Sequence, residues 1–238
     1  MKCLHIIIPV KDSIETTRDT INAVMGSKFT LPTVYTIYND NSTPENTAIL
    51  EQLSRDKGFE LVNISDITDH PSPNYLLVLR TAQRRALAED AGLVIVESDV
   101  TVAPDTLQSL ADEAAKRTDC GIAASVTVDE QGAINYPYKN LKGQENKVLD
   151  TKHHCSFCCS LLTPALLKAY DFNELDPEKN WYDVTISHES LSHGLHNYVF
   201  TSLPVVHRPH ASRPWKLLKY KNPLLYYWRK LTKGLDKI

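Results

Sequence analysis

Val94-Ile95-Val96-Glu97-Ser98-Asp99-Val100 is an apolar, β-branched run that meets two carboxylates one residue apart. A short run of this composition reads as a strand buried on both faces, as strands of parallel sheets are. The C-terminal edge of such a sheet is where open α/β folds bind their ligands. Glu97 and Asp99 therefore bring two negative charges to that edge, and two charges so placed call for a cation. Oxygen donors in this setting suit Mg2+ or Mn2+ carrying a phosphate group. The alternative is a strand that simply ends on polar surface residues.

Working outward, the first hundred residues alternate strand and helix. Leu4–Val10, Val34–Tyr38, Glu60–Ile64 and Leu93–Val96 read as strands. Ser13–Ser27, Thr43–Lys57 and Tyr75–Asp90 read as helices, the second with Pro44 suited to its first turn. Such alternation gives a mostly parallel sheet flanked by helices, a Rossmann-like α/β fold. The second half is less regular. Helices are expected over Pro104–Arg117, Pro164–Tyr170 and Val184–His193, and strands over Gly121–Val128, Cys155–Leu162 and Phe200–Val206. The polar stretch Asp129–Lys152 reads as a hairpin and loop.

At 238 residues, 42% hydrophobic and 23% charged, the chain is expected to be a soluble globular protein of one large or two small domains. No apolar run approaches the roughly 20 residues that cross a bilayer. The start, Leu4–Val10 interrupted by His5 and Pro9, reads as a first strand and not a cleavable signal. Five cysteines, two of them adjacent, suggest free thiols in a reducing compartment, so the expectation is cytoplasmic. Charge is uneven: from Arg213 onward eight Lys/Arg face only Asp236, a tail of +7, so the chain's net −3 leaves −10 on the rest. Trp215, Tyr220, Tyr226, Tyr227 and Trp228 lie among these cations. A basic aromatic tail suits an anionic membrane surface, or a helix packed on the domain with a solvated face. The acidic body argues against nucleic acid.

In a parallel sheet, the polar residues that follow each strand converge on one crevice. Here these are Pro9-Val10-Lys11-Asp12, Asn39-Asp40-Asn41-Ser42, Glu97-Ser98-Asp99 and His207. Asp40 also reads as a turn and helix cap, and His207 as either a metal ligand or a structural histidine. His153-His154-Cys155 with Cys158-Cys159 has zinc-like composition. A strand over Cys155–Leu162 would turn adjacent side chains to opposite faces, which favours packing over metal binding.

The combined order of these segments resembles family 2 glycosyltransferases of GT-A fold. Ile6-Ile7-Ile8-Pro9-Val10-Lys11 resembles the family's first strand, Tyr38-Asn39-Asp40-Asn41-Ser42-Thr43 its acidic turn, and Glu97-Ser98-Asp99 its DxD motif. Tyr170-Asp171-Phe172-Asn173-Glu174 resembles its GFDE-like stretch, and Tyr182-Asp183-Val184-Thr185-Ile186-Ser187 the start of its later helix. The likeness spans roughly 4–210, implying a donor-binding half (1–103), an acceptor half (104–210) and the tail (211–238).

The resemblance implies a metal-dependent, inverting transfer of sugar from a UDP-, GDP- or dTDP-sugar to a glycan or lipid-linked acceptor, and the basic aromatic tail would set it peripherally on the inner face of the membrane. It assigns nucleotide-sugar contacts to Pro9, Asp40, Arg84, Glu97 and Ser98, the Mn2+ or Mg2+ to Asp99 and His207, and the general base to Asp183. An N-cap role is the alternative for Asp183. The departures are Asn39 for an acid, Glu97 for Asp, Tyr182 for Glu and Thr185 for Asp, and Ala82-Gln83-Arg84 echoes the family's A-R-N element only loosely. The rival readings are a nucleotidyltransferase, against which Pro9-Val10-Lys11-Asp12-Ser13 is no Gly-rich phosphate loop, and a non-catalytic sugar-nucleotide or glycan-binding module.

Overall fold

The opening run forms β4 (Gly92–Val96), buried at every position. The computed structural model describes residues 1–179, 181–208 and 222–232, of which 229–231 by their backbone alone. β4 lies beside β1 (Leu4–Val10), which pairs in parallel with β2 (Thr33–Asn39), and β2 with β3 (Glu60–Asn63). Alternate residues of these strands enter two separate cores. Cys3, Ile7, Leu93 and Ile95 pack under α3 (Tyr75–Ala88), through Val78, Leu79, Ala82 and Ala86. Leu4, Ile6, Ile8, Val10, Val94 and Val96 pack on the other face, against α1 (Ile14–Met25), α2 (Pro44–Lys57) and later α4 (Thr106–Ala115).

The remaining strands are β5 (Val100–Thr101), β6 (Cys120–Val128), β7 (Val148–Thr151), β8 (Cys159–Leu162) and β9 (His196–His207). Among the described residues nine strands form one sheet, ordered β3-β2-β1-β4-β8-β6-β9-β5, with β7 also on β9. β8 runs antiparallel between β4 and β6, so β6 and β9 share the direction of β1–β4. The sheet is thus mostly parallel and continues without a break across residue 103. Helices α5 (Pro164–Ala169) and α6 (Tyr182–Ser192) cover the α3 face.

Three expectations change. The strand expected over Cys155–Leu162 begins only at Cys159, after a turn at 157–158. Side chains, not a neighbouring strand, receive the preceding N–H groups: Cys155 donates to Ser187 Oγ (2.9 Å) and Ser156 to Tyr138 Oη (2.8 Å). Within 129–152 the expected hairpin is present but short, Val128 bridging Ile134 across the turn at 129–133, and where a loop is expected 148–151 form β7 against β9. β9 is longer than expected. A register shift against β6, between Ser125 and Thr127, absorbs Pro204, which has no N–H to donate to a ladder. That irregularity carries the end of β9 to β5, placing His207 opposite Val100. In the tail, Pro223–Thr232 forms α7, while 211–221 and 233–238, including Trp215 and Tyr220, lie outside the described residues.

Candidate functional site

β1 and β2 are parallel neighbours, so the loops after them open at the same edge and are tied together. The Asp12 N–H donates to Ser42 Oγ (2.8 Å), and its carboxylate accepts from the Thr43 N–H (2.8 Å) and Asn46 Nδ2 (3.0 Å). Lys11 Nζ donates to the carbonyls of Asp40 (3.3 Å) and Asn41 (2.9 Å). Burial works to raise the Asp12 carboxyl, but these donors and the Lys11 charge outweigh it and hold the group below its ordinary value. Asp12, Ser13 and Asn41 all have positive φ, a conformation Asp and Asn tolerate better than most residues. Pro9 sits in this edge of β1. The Leu4 N–H points to β2, so by alternation the missing Pro9 N–H faces β4, where pairing has already ended at Ile7–Ile95.

Asp40 uses both oxygens. Oδ2 accepts from Ser72 Oγ (2.7 Å) and the Asn74 N–H (2.8 Å), and Oδ1 from Asn74 Nδ2 (2.8 Å), fixing the loop that enters α3. It does not cap α2; that role belongs to Thr43, whose Oγ1 accepts from the Asn46 N–H. Asn39, buried beside it, donates to Thr47 Oγ1 (3.0 Å) and Asn63 Oδ1 (2.9 Å) and accepts from the Ser42 N–H (3.2 Å). A carboxylate here would have no hydrogen to give.

After β4 the chain turns through Glu97, Ser98 and Asp99, closed by the Val100 N–H on the Glu97 carbonyl (3.2 Å). Ser98 and Asp99 are each only 6% exposed. His207 reaches the same point from β9: Nε2 stands 3.5 Å from Asp99 Oδ2, while Nδ1 faces the Tyr136 carbonyl at 2.8 Å. A carbonyl can only accept, so Nδ1 carries the proton and Nε2 is presented to Asp99. Burial alone would favour neutral His207, yet Asp99 and the Tyr136 carbonyl outweigh it and raise the imidazole above its ordinary value. Asp99 also accepts the Arg208 N–H on its backbone carbonyl (3.0 Å).

Cys158 joins this group from the turn before β8. Its carbonyl accepts the Glu97 N–H (3.0 Å), and its Sγ lies 3.2 Å from Glu97 Oε2. Donor atoms of Glu97, Cys158 and His207 fall within 4.8 Å of one another. The sequence reading sets Cys158 with His153 and His154 and favours packing, because it places this residue inside a strand; the grouping with Glu97 and His207 is not foreseen. Burial, with Glu97 alongside, pushes its thiol well above the ordinary value. Cys155 and Cys159 are packed in the interior, and burial pushes Cys159 up to about 12.

Asp183 lies in the first turn of α6, half-buried, and its Oδ1 accepts the Val184 N–H (3.0 Å). Trp181 occupies the N-cap position, so the capping alternative for Asp183 does not hold. The Asp183 carbonyl accepts from Ser187 Oγ (2.7 Å), which in turn accepts the Cys155 N–H. Tyr138, whose hydroxyl accepts the Ser156 N–H, is raised foremost by burial and also by the Asp183 charge. One side-chain network thus links the start of α6 to the Cys155–Cys158 turn and, through Cys158, to Glu97. Pro137, Tyr138, Leu141, Asp150, His153 and His154 line a cavity of about 220 Å3 in the neighbouring segment.

Arg84 is not brought to this edge. It stands on the exposed face of α3, ten residues beyond Asn74, or about 15 Å along the axis at 1.5 Å per residue. The cation nearer the start of α3 is Arg80, which donates to the carbonyls of Phe172, Asn173 and Leu175.

The family description "Glycosyl transferase family 2" matches residues 5–170. Among solved structures, S. aureus TarS (residues 1–349) superposes with TM-score 0.61 at 16% identity, over 91% of this chain and 62% of that one. GalNAc-T7 with UDP, GalNAc and Mn2+ gives 0.64 at 11% identity, over 89% and 45%. Mannosyltransferase PcManGT from Pyrobaculum calidifontis, in complex with GDP-Man and Mn2+, gives 0.61 at 12% identity, over 96% and 64%. The chain therefore spans 45% to 64% of the length of these three structures, and at such identities the likeness is one of fold. No curated protein matches the sequence.

Proposed function

The chain belongs to glycosyl transferase family 2, and on that premise we propose that it transfers a sugar from a nucleotide-sugar donor to an acceptor hydroxyl, with inversion at the anomeric carbon. The observation that carries this reading is the buried Asp99–His207 pair, with Nδ1 of His207 held by the Tyr136 carbonyl. A histidine oriented through its other nitrogen is how proteins present imidazole to a metal. Asp99, His207 and Glu97 supply oxygen and nitrogen donors suited to Mn2+ or Mg2+. Such an ion, when bound, supplies Lewis-acid stabilisation to the departing diphosphate. Asp40 and Pro9 border the nucleoside side of the same edge, and Glu97 and Ser98 the ribose and sugar. Arg84 has no place in this donor site.

Asp183 is the proposed general base, taking the proton from the attacking hydroxyl. Its carboxylate is not consumed in an N-cap, and the cavity beside Tyr138, His153 and His154 offers a place for the acceptor. The proposed donors are UDP-, GDP- or dTDP-sugars and the proposed acceptor a glycan or lipid-linked saccharide. We place the protein on the cytoplasmic side of a membrane, touching it through the tail. Supporting this, α7 leaves Leu224, Tyr227 and Trp228 exposed, and among the described residues no helix is long and apolar enough to cross a bilayer.

Asp183→Asn tests the catalytic reading against a module that only binds. Nucleoside diphosphate release should be measured over a panel of UDP-, GDP- and dTDP-sugars with saccharide acceptors. The variant should lose about 10²–10⁴-fold in turnover, the usual worth of positioned proton transfer, while binding nucleotide as wild type does. Unchanged turnover would remove Asp183 from the mechanism.

A further inference from the structure

A second group of metal-ligating side chains lies at the opposite edge of the sheet. Cys3 and His5 alternate at the start of β1 and so share the face that packs against α3. Glu89 is the residue that closes α3. The donors are held in place by backbone: the Gly92 N–H donates to the Cys3 carbonyl (3.0 Å) and the Lys2 N–H to the Asp90 carbonyl (3.1 Å). Cys3 and His5 are 9% and 5% exposed, whereas the Glu89 side chain is 57% exposed, which leaves an entry path.

Glu89 Oε2 lies 3.1 Å from His5 Nε2 and 3.8 Å from Cys3 Sγ, and all three donor atoms fall within 4.8 Å of one another. The His5 imidazole and the Cys3 thiol, which also makes weak contacts to the Glu89 carbonyl (4.0 Å) and Oε2, converge on the same carboxylate. Around a tetrahedral Zn2+, bonds of about 2.3 Å to sulfur and about 2.0–2.2 Å to nitrogen and oxygen set the ligand atoms about 3.4–3.6 Å apart. The observed separations bracket that value. Thiolate, imidazole and carboxylate together favour a borderline-soft ion over Mg2+ or Mn2+, which prefer all-oxygen sites.

We propose that Cys3, His5 and Glu89 bind Zn2+, with a fourth position open to water, as a staple between the start of β1 and the end of α3. Binding converts the Cys3 thiol to thiolate and releases its proton to solvent. In the metal-free protein burial, reinforced by the Glu89 charge, holds that thiol up, so affinity rises with pH. The staple is separate from the donor edge and is not required for nucleotide binding.

Co2+ titration of the full chain reads the site directly, because a thiolate ligand gives a near-ultraviolet charge-transfer band that oxygen and nitrogen ligands do not. Wild type should develop the band at one equivalent and lose it on adding Zn2+. Asp99→Asn and Cys158→Ser should keep it, and Cys3→Ser should abolish it. Zn2+ at about 100-fold excess over Kd should raise Tm of wild type by several degrees and leave Cys3→Ser unmoved. Glu89→Gln, at an exposed position that tolerates change, should weaken Co2+ binding at least tenfold. The proposal is overturned if wild type shows no band, if the band survives Cys3→Ser and disappears in Cys158→Ser, or if Glu89→Gln binds unchanged.

Discussion

His207 sits on the last strand of the sheet, 108 positions from the carboxylate it faces (Asp99), and a sequence offers no sign of which of its nitrogens is committed. The structure assigns Nδ1 to the Tyr136 carbonyl and Nε2 to Asp99. Because the folded imidazole is raised above its ordinary value, the pair stabilises the metal-free fold fully below the unfolded value, near 6.5. That contribution disappears as pH rises through the folded value. Thermal unfolding of chelator-treated wild type and His207→Gln should therefore converge as pH is raised from 5 to 9; a gap that widened would contradict the pairing. Metal binding requires neutral imidazole, so affinity for Mn2+ should rise over the same window. Asn39 is a residue whose sequence reading, as a lost charge, misses its use. Its amide donates two part-buried hydrogen bonds, so Asn39→Asp should destabilise the fold by about 1–3 kcal/mol, seen as a lower Tm at neutral pH.

At the scale of elements, the turn before β8 decides how the candidate site is assembled. The apolar pattern of Cys155–Leu162 suggests one strand, yet hydrogen bonds from Cys155 and Ser156 to the Ser187 and Tyr138 side chains end the ladder at Cys159. Those partners lie 32 and 18 residues away, beyond any local pattern. The same misplacement hid the closeness of Cys158 to Glu97 and His207. The start of α6 was legible only to within two residues, and those two decide whether Asp183 is a cap or a first-turn carboxylate. Ser187→Ala should leave the Cys155 N–H without its acceptor and cost about 1–3 kcal/mol. It should also lower kcat with little change in nucleotide affinity, because it loosens the start of α6 and not the β1–β2 loops. Equal loss in both would place Ser187 in general stability alone.

Over the whole molecule, the first hundred residues were readable because parallel strands and helices alternate in order and both faces of β1 and β4 are apolar. After β4 antiparallel pairings enter the sheet. β8 inserts between β4 and β6, and β9 serves β5, β6 and β7. Such pairings depend on distant partners, and local periodicity does not report them. Charge, in contrast, is legible at this scale: the tail from Arg213 carries +7 against a body of −10. Removing residues 211–238 should abolish sedimentation with anionic vesicles, while the full chain should bind them and be released by salt. Salt-insensitive binding would point to the aromatic residues alone.

Asp99 and His207 are proposed to make the donor edge a metal-dependent nucleotide site. Calorimetry of UDP, GDP and dTDP with and without Mn2+, on wild type and Asp99→Asn, tests it most directly. One nucleotide should bind wild type only with Mn2+, and Asp99→Asn should abolish this binding. Metal-independent binding of equal strength in both proteins would contradict it.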